Sequence, residues 1–204
     1  AGQRCSALRM LFLPAETADD LIEGLIGAMD ALVIGDPADP ATDVGPVIDA
    51  EAKAALEAHV ERLGREAKLL HSLRVPEGGS FFGPVLAEIP RPGFLQKEVF
   101  GPILHVVRYE AGELDAMARE LAGLGYGLTL GVHSRVRELV PAGNAYVNRG
   151  MTGAVVGVQP FGGEGLSGTG PKAGGPNALS RYAVERAVSV NIAAQGGDPT
   201  LLNL

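Results

Sequence analysis

The sequence predicts an α/β protein with a mainly parallel β-sheet. Three observations support this fold class. Short apolar or β-branched segments alternate along the chain with segments whose apolar residues recur at helical spacing. Hydrophobic residues make up 46% of the 204 positions, enough to build a core. No internal repeat or linker divides the chain, so we predict one domain with a tail.

The first half of the chain contains two predicted strands and two predicted helices. An apolar strand over residues 8–13 ends at Pro14, and a helix over residues 17–32 begins with polar Thr17 and is closed by Gly35. The turn-rich connection over residues 35–46 follows. Asp49 can cap a long amphipathic helix that runs to about residue 67, and residues 68–71 form the next strand. Residues 76–83 are a loop.

The second half continues the alternation. Residues 104–109 form a β-branched strand, 114–124 a helix, and 128–132 and 145–147 two more strands. A helix-like segment at 177–184 precedes a last extended piece at 187–192.

Charge and composition exclude several classes of partner. The net charge is −7, and the 17 lysines and arginines form no cluster, so we expect neither nucleic acid nor an anionic membrane as a partner. No apolar run approaches the roughly 20 residues that span a bilayer. The chain opens on small and polar residues without a signal peptide, so we expect a reducing, cytoplasmic setting.

Metal binding is not expected either. The four histidines are scattered, with His59 and His133 placed on surfaces and His105 opening a core strand. No histidine is marked as the base of a cysteine-histidine pair.

Cys5 is the only cysteine of the chain. A lone thiol forms no internal disulfide, so it is either a buried small hydrophobe or a reactive nucleophile. Gly2 permits a tight backbone turn before it, and the small or polar neighbours leave room for a substrate. Both interpretations remain open from spacing alone.

Two further segments suggest ligand binding. Residues 97–102 (KEVFGP) place Glu98 two positions before Phe100 and then force a turn, so the carboxylate could accept hydrogen bonds from ribose hydroxyls; a solvated strand end is the alternative. Residues 148–176 hold ten glycines around Phe161, which suggests a loop whose amides face a carboxylate or phosphate, or else a flexible surface loop. Neither segment matches a nucleotide-binding fingerprint or a Walker motif.

Together these segments resemble the aldehyde dehydrogenase superfamily. Residues 2–6 (GQRCS), 98–102 (EVFGP) and 159–163 (QPFGG) match its motifs in order, and residues 45–48 (GPVI) match as well. The longer match over residues 144–149 and 152–176 is similar to the glutamate-semialdehyde (pyrroline-5-carboxylate) dehydrogenase module of bifunctional proline utilization A. The resemblance implies a three-layer fold with helices on both faces of an open sheet. It implies a catalytic domain over residues 1–185 and an extended oligomerisation segment over residues 186–204.

The resemblance also implies the chemistry. Cys5 would attack the carbonyl of an aldehyde that carries an α-carboxylate, to give a thiohemiacetal and then a thioester. Glu98 would bind the nicotinamide ribose of NAD, with Phe100 beside it. FAD would be needed only if a proline dehydrogenase domain lies upstream.

The substrate contacts carried over from the resemblance lie on two segments. Ser6 and the backbone amides of Gly153 and Ala154 would hold the α-carboxylate, while Phe161 would pack on the aliphatic part. No metal would take part.

The chain also departs from the family. The NAD-binding domain and the general-base glutamate precede the cysteine in these enzymes, whereas only four residues do so here, and residues 136–141 look too short for the expected helix. The first hypothesis is therefore the catalytic half of an NAD-dependent L-glutamate γ-semialdehyde dehydrogenase, inactive without the rest of a longer polypeptide. The alternative is a non-catalytic module of the same fold that serves oligomerisation or covers a partner's active site. Both imply a homo-oligomer.

Overall fold

The computed structural model describes residues 1–134, 142–155 and 157–190, and these residues form an α/β fold, as predicted. The helices are α1 (Ala18–Asp30), α2 (Ala50–Glu66) and α3 (Leu114–Gly123). The strands are β1 (Met10–Pro14), β2 (Lys68–Ser72), β3 (Val85–Glu88), β4 (Ile103–Tyr109), β5 (Tyr126–Gly127), β6 (Thr129–Val132), β7 (Asn144–Val147) and β8 (Glu164–Gly165). Two 3₁₀ turns cover Pro92–Phe94 and Leu179–Tyr182.

The largest sheet has the strand order β1-β4-β3-β2. Strand β4 pairs in parallel with both β1 and β3, and only the edge strand β2 is antiparallel. Strand β3, a central strand of this sheet, is absent from the elements predicted from the sequence. Two smaller ladders, parallel β6–β7 and antiparallel β5–β8, lie beyond it in the chain.

Helices pack on both faces of the sheet because successive strand residues point to opposite sides. On one face Leu56 and Leu63 of α2 are buried in a cluster with Val85, Ala87 and Val107. The other face holds a second buried cluster, formed by Leu13, Ala18, Ile22, Leu86 and Val106. The arrangement is the expected helix–sheet–helix sandwich.

The N-terminal cap predicted from the sequence forms at α2 but not at α1. Asp49 caps α2 as predicted, because its Oδ1 accepts a hydrogen bond of 2.7 Å from the amide of Ala52. Thr17 stands at the N-cap of α1, but its side chain makes no capping bond. No helix in the described part of the chain is long and apolar enough to cross a membrane.

The predicted helix at 177–184 is wrong. Only the 3₁₀ turn Leu179–Tyr182 forms there, with Leu179 and Tyr182 largely exposed, so no apolar face is buried that would stabilise a longer helix. Residues 187–190 form no strand. The rest of the predicted extended piece and of the tail, residues 191–204, and the short segment 136–141 lie outside the described residues.

A histidine pair joins α2 to the sheet, which corrects the prediction of a surface His59. His105 of β4 is fully buried, and its Nε2 lies 2.9 Å from Nε2 of the half-buried His59. His105 Nδ1 lies 2.9 Å from the carbonyl oxygen of Arg9, which can only accept, so Nδ1 carries the proton and Nε2 accepts from His59. The His105 ring is therefore uncharged in this arrangement.

The pair should make the fold acid-sensitive. Burial lowers the pKa of His105 to about 4, and burial together with nearby Arg62 and Lys97 lowers that of His59. Between pH 4 and 6.5 the unfolded chain binds more protons than the folded one, so stability should be complete above pH 6.5 and fall as the pH drops toward 4. The pKa shift of His105 from 6.5 to about 4 corresponds to an upper limit of about 3–4 kcal/mol for its contribution to stability.

Chemical denaturation of the chain as a function of pH measures this effect. In His105→Asn the free energy of unfolding should depend less on pH between pH 4 and 6.5. Above pH 7 it should vary with pH in the same way as in the unmodified chain. An equally steep acid slope in the variant would assign the effect to other groups.

Candidate active site

An open cleft of about 640 Å³ lies between the first residues of the chain and the glycine-rich segment. Its lining residues are Gln3, Arg4, Cys5, Ser6, Gly153, Ala154, Gly157, Gln159, Phe161, Ala173 and Gly174. Five of the seven candidate site residues are thus brought together although up to 156 positions separate them. Glu98 and Phe100 are the two that do not line this cleft.

Cys5 lies at the corner of a tight turn just before β1. The amide of Ala7 donates to the carbonyl of Arg4 at 3.1 Å, so Cys5 and Ser6 occupy the two central positions. Gly2 precedes the turn with φ of +66°, a conformation that favours glycine. The Cys5 thiol is exposed in the cleft, which excludes the interpretation of a buried, inert cysteine.

Gln3 fixes this turn to its surroundings, a role that the sequence analysis did not assign. Its Oε1 accepts a 2.8 Å hydrogen bond from the amide of Ile48, and its Nε2 donates to the carbonyl of Phe100 at 3.4 Å. One side chain therefore links the thiol-bearing turn to two loops. Only the folded arrangement reveals this, because the partners lie 45 and 97 positions away.

Ser6 connects the thiol-bearing turn to the glycine-rich segment. The amide of Gly153 donates to Ser6 Oγ at 2.9 Å, and the hydroxyl of Tyr146 donates to the Gly153 carbonyl at 3.0 Å. Ser6 is 4% exposed, and its own O–H is not engaged by any described residue. The amide of Ala154 has no partner in the described part of the chain either. These two groups are therefore free donors in the cleft, and they suit an anionic ligand group.

Phe161 forms one wall of the cleft and is held from both sides. It exchanges two backbone hydrogen bonds with Ala173, of 3.1 and 3.0 Å. The side-chain amide of Asn144 donates to the Pro160 carbonyl at 2.9 Å and accepts from the Gly162 amide at 3.1 Å. Asn144 therefore stabilises the residues flanking Phe161. The sequence offers only a weak signal for this role, an asparagine in a short strand where that residue type is depleted.

Glu98 and Phe100 lie beside the cleft on the loop before β4. Phe100 is 39% exposed, and the exposed Glu98 carboxylate has no hydrogen-bond or ion-pair partner among the described residues. An accessible carboxylate two positions before an accessible ring suits the ribose and the flat ring of a nucleotide. Gln3 and Arg9 tie this loop to the thiol-bearing turn. Over the described ranges no three histidine, cysteine, aspartate or glutamate side chains form a group that could hold a metal ion.

Comparison with known proteins agrees with this geometry. Residues 1–188 match the model of the aldehyde dehydrogenase family. The bifunctional protein PutA of Klebsiella aerogenes is 48% identical over 98% of this chain, which spans only 17% of that relative's length. A solved variant of proline utilization A (PutA) from Bradyrhizobium japonicum superposes with a TM-score of 0.89 at 56% identity, over 96% of this chain and 21% of that one.

A second solved structure carries a cofactor. The 1-pyrroline-5-carboxylate dehydrogenase from Thermus with bound NAD is 35% identical, with a TM-score of 0.76, over 88% of this chain and 36% of that one. The chain therefore spans about a sixth to a third of the relatives it matches.

Proposed function

The chain belongs to the aldehyde dehydrogenase family, and from this premise we propose that it is the catalytic part of an NAD-dependent L-glutamate γ-semialdehyde dehydrogenase within a longer polypeptide. The observation that carries the proposal is one cleft that combines an exposed thiol with two free hydrogen-bond donors and an aromatic wall. A thiol suits an aldehyde, free donors suit a carboxylate, and the wall suits the chain between them.

Cys5 is the nucleophile. Its sulfur forms a bond to the aldehyde carbon, and the carbonyl oxygen of the resulting thiohemiacetal takes up a proton or is held as an oxyanion by backbone amides of the turn. Loss of hydride from that carbon gives a thioester on Cys5, and water then cleaves the C–S bond to release the acid and the free thiol. The chemistry that NAD supplies when bound is acceptance of that hydride.

Ser6 and Ala154 hold the α-carboxylate in this proposal. The Ser6 hydroxyl donates to one oxygen while it continues to accept from the amide of Gly153, since a hydroxyl has one hydrogen and two lone pairs. The amide of Ala154 donates to the carboxylate as well. The contribution of Gly153 is thereby refined: its amide orients Ser6, because the hydrogen bond at 2.9 Å already engages it.

Phe161 and the loop that carries Glu98 and Phe100 have the remaining roles in the proposed site. The ring of Phe161 packs on the methylene groups of the substrate, with Asn144 fixing its backbone. Glu98 would accept hydrogen bonds from the nicotinamide ribose of NAD, with Phe100 beside it. The accessible positions of both side chains support this assignment.

The alternative, a non-catalytic module for oligomerisation or for covering a partner's site, is not favoured. Such a module does not need an exposed thiol, a free carboxylate-binding pair and an aromatic wall in one cleft.

A substrate panel tests the proposal. The full-length polypeptide that carries this chain should form NADH with L-glutamate γ-semialdehyde at a kcat/KM roughly 10²- to 10⁴-fold above that for butanal, which lacks the α-carboxylate, because one or two charge-assisted hydrogen bonds are lost. Equal kcat/KM values for the two aldehydes would contradict the assigned substrate class. The intact mass of the natural polypeptide should lie several-fold above the 21.1 kDa of this chain.

A further inference from the structure

Arg9 lies between the thiol-bearing turn and the loop that carries Glu98 and Phe100. Its Nη1 donates to the carbonyl of Gly101 at 2.8 Å and to that of Gly2 at 3.4 Å, and its Nη2 donates to the carbonyl of Arg4 at 3.2 Å. The two segments are about 90 positions apart in the chain. One guanidinium group therefore connects them through three backbone carbonyls.

The positive charge of Arg9 is not paired with a carboxylate of any described residue. No carboxylate among the described residues lies within ion-pair distance of this half-buried cation; its Cζ lies 4.8 Å from the centroid of the Phe100 ring. Burial lowers the pKa of Arg9, and the charge of Glu98 partly offsets this. The Nε is buried without a partner, which costs free energy. The role of Arg9 is therefore better explained by the directions of its N–H donors than by its charge. The planar guanidinium holds these donors in fixed directions.

The backbone of Arg9 is anchored on its other side. Its carbonyl accepts hydrogen bonds from both the amide and the Nδ1–H of His105, at 3.0 and 2.9 Å. His105 is fully buried in β4 and is itself paired with His59. The side chain of Arg9 thus extends from a rigid base in the sheet toward both segments.

We propose that Arg9 is a positioning residue that sets the distance between the Cys5 turn and the loop of Glu98 and Phe100. The inference rests on the proposed function, in which the first segment holds the substrate carbon and the second holds NAD. Transfer of hydride between them is sensitive to geometry, and a displacement of about 1 Å can slow such a step about 100-fold.

The two segments depend on Arg9 to different degrees. Without Arg9 the turn keeps the hydrogen bonds that the amides of Ala7, Ile48 and Gly153 donate to Arg4, Gln3 and Ser6, respectively. The end of the loop stays fixed to β3, because the amide of Val85 donates to the carbonyl of Pro102 at 2.9 Å. Among the described residues, the part from Glu98 to Gly101 keeps only the long contact from Gln3 to Phe100 and the local bond from Ile103 to Gly101. Loss of the guanidinium should therefore release the loop while the thiol stays in place.

The test compares two reactions of the same thiol in the full-length polypeptide. Arg9→Met should lower kcat for NAD-dependent aldehyde oxidation about 10- to 100-fold and raise the Kd of NAD measured by calorimetry. Hydrolysis of p-nitrophenyl acetate, which needs Cys5 but no cofactor, should change less than about threefold. Arg9→Lys should behave like Arg9→Met, because an ammonium keeps the charge without the fork of donors.

Arg62→Met is the matched control. Arg62 also lies over an aromatic ring, 4.3 Å from the centroid of Phe94, and donates to the Phe94 carbonyl at 3.2 Å, but it does so on α2. This variant should leave the ratio of the two reactions unchanged. Equal losses in both reactions for Arg9→Met, or full activity in Arg9→Lys, would overturn the positioning role. A wild-type polypeptide that hydrolyses the ester but forms no NADH would instead reject the proposed function.

Discussion

Replacing Cys5 with alanine in the full-length polypeptide should abolish NADH formation from the aldehyde while the fold stays intact. The substitution removes the sulfur that forms the covalent bond, and no other cysteine in the chain can replace it. Because Cys5 is exposed at a turn, deletion of its sulfur leaves no cavity in the core. We expect kcat/KM to fall by at least about three orders of magnitude.

Three measurements make this result specific. Initial rates at saturating NAD give the loss, the unfolding midpoint monitors the fold, and calorimetry shows whether NAD still binds. Cys5→Ser should be nearly as inactive as the alanine variant, because an unactivated hydroxyl is a much weaker nucleophile than a thiol. Undiminished turnover in Cys5→Ala would remove the thiol from the mechanism.

The candidate site could be predicted in part because some of its residues carry their chemistry in short motifs. Cys5 with Ser6, and Phe161 with its glycines, each stand in a stretch of a few positions whose residue types suggest a function. No role was assigned to Gln3, Arg9 or Asn144, since each acts on backbone groups that become neighbours only after folding. Sequence patterns therefore indicated the residues facing the cleft but not those that fix its walls.

The elements of the fold also divide into those that the sequence predicts and those that it does not. Amphipathic segments with a cap, such as α2 behind Asp49, were located to within a residue or two because period and capping agree. Strand β3 is not predicted because its four residues, of which the first three are buried, lie between two prolines and show no alternation of apolar and polar positions. The segment at 177–184 has helical spacing in the sequence but no surface to pack against, so its tertiary context decides against a helix.

Gly153→Val should weaken binding of the α-carboxylate substrate about 10- to 100-fold, seen as a raised KM. A steric clash is not the cause, because an added Cβ at Gly153 meets no atom within 4 Å. The cause is instead the backbone, because φ of +70° is strained for a β-branched residue. Relief of that strain would rotate the peptide away from Ser6 and misdirect the amide of Ala154, so both proposed carboxylate donors are affected.

Gly78→Val is the control that separates the effect of backbone strain on stability from the effect of the cleft on substrate binding. Gly78 has φ of +82°, also has no atom within 4 Å of an added Cβ, and does not line the cleft. Both variants should lose similar stability in thermal unfolding, about 1–2 kcal/mol, but only Gly153→Val should raise KM for the semialdehyde. Neither should change the KM for butanal, which has no carboxylate to hold. An unchanged KM for the semialdehyde in Gly153→Val would show that the segment from Gly153 to Ala154 does not bind the carboxylate, and Ser6 would then have to hold it from the turn alone.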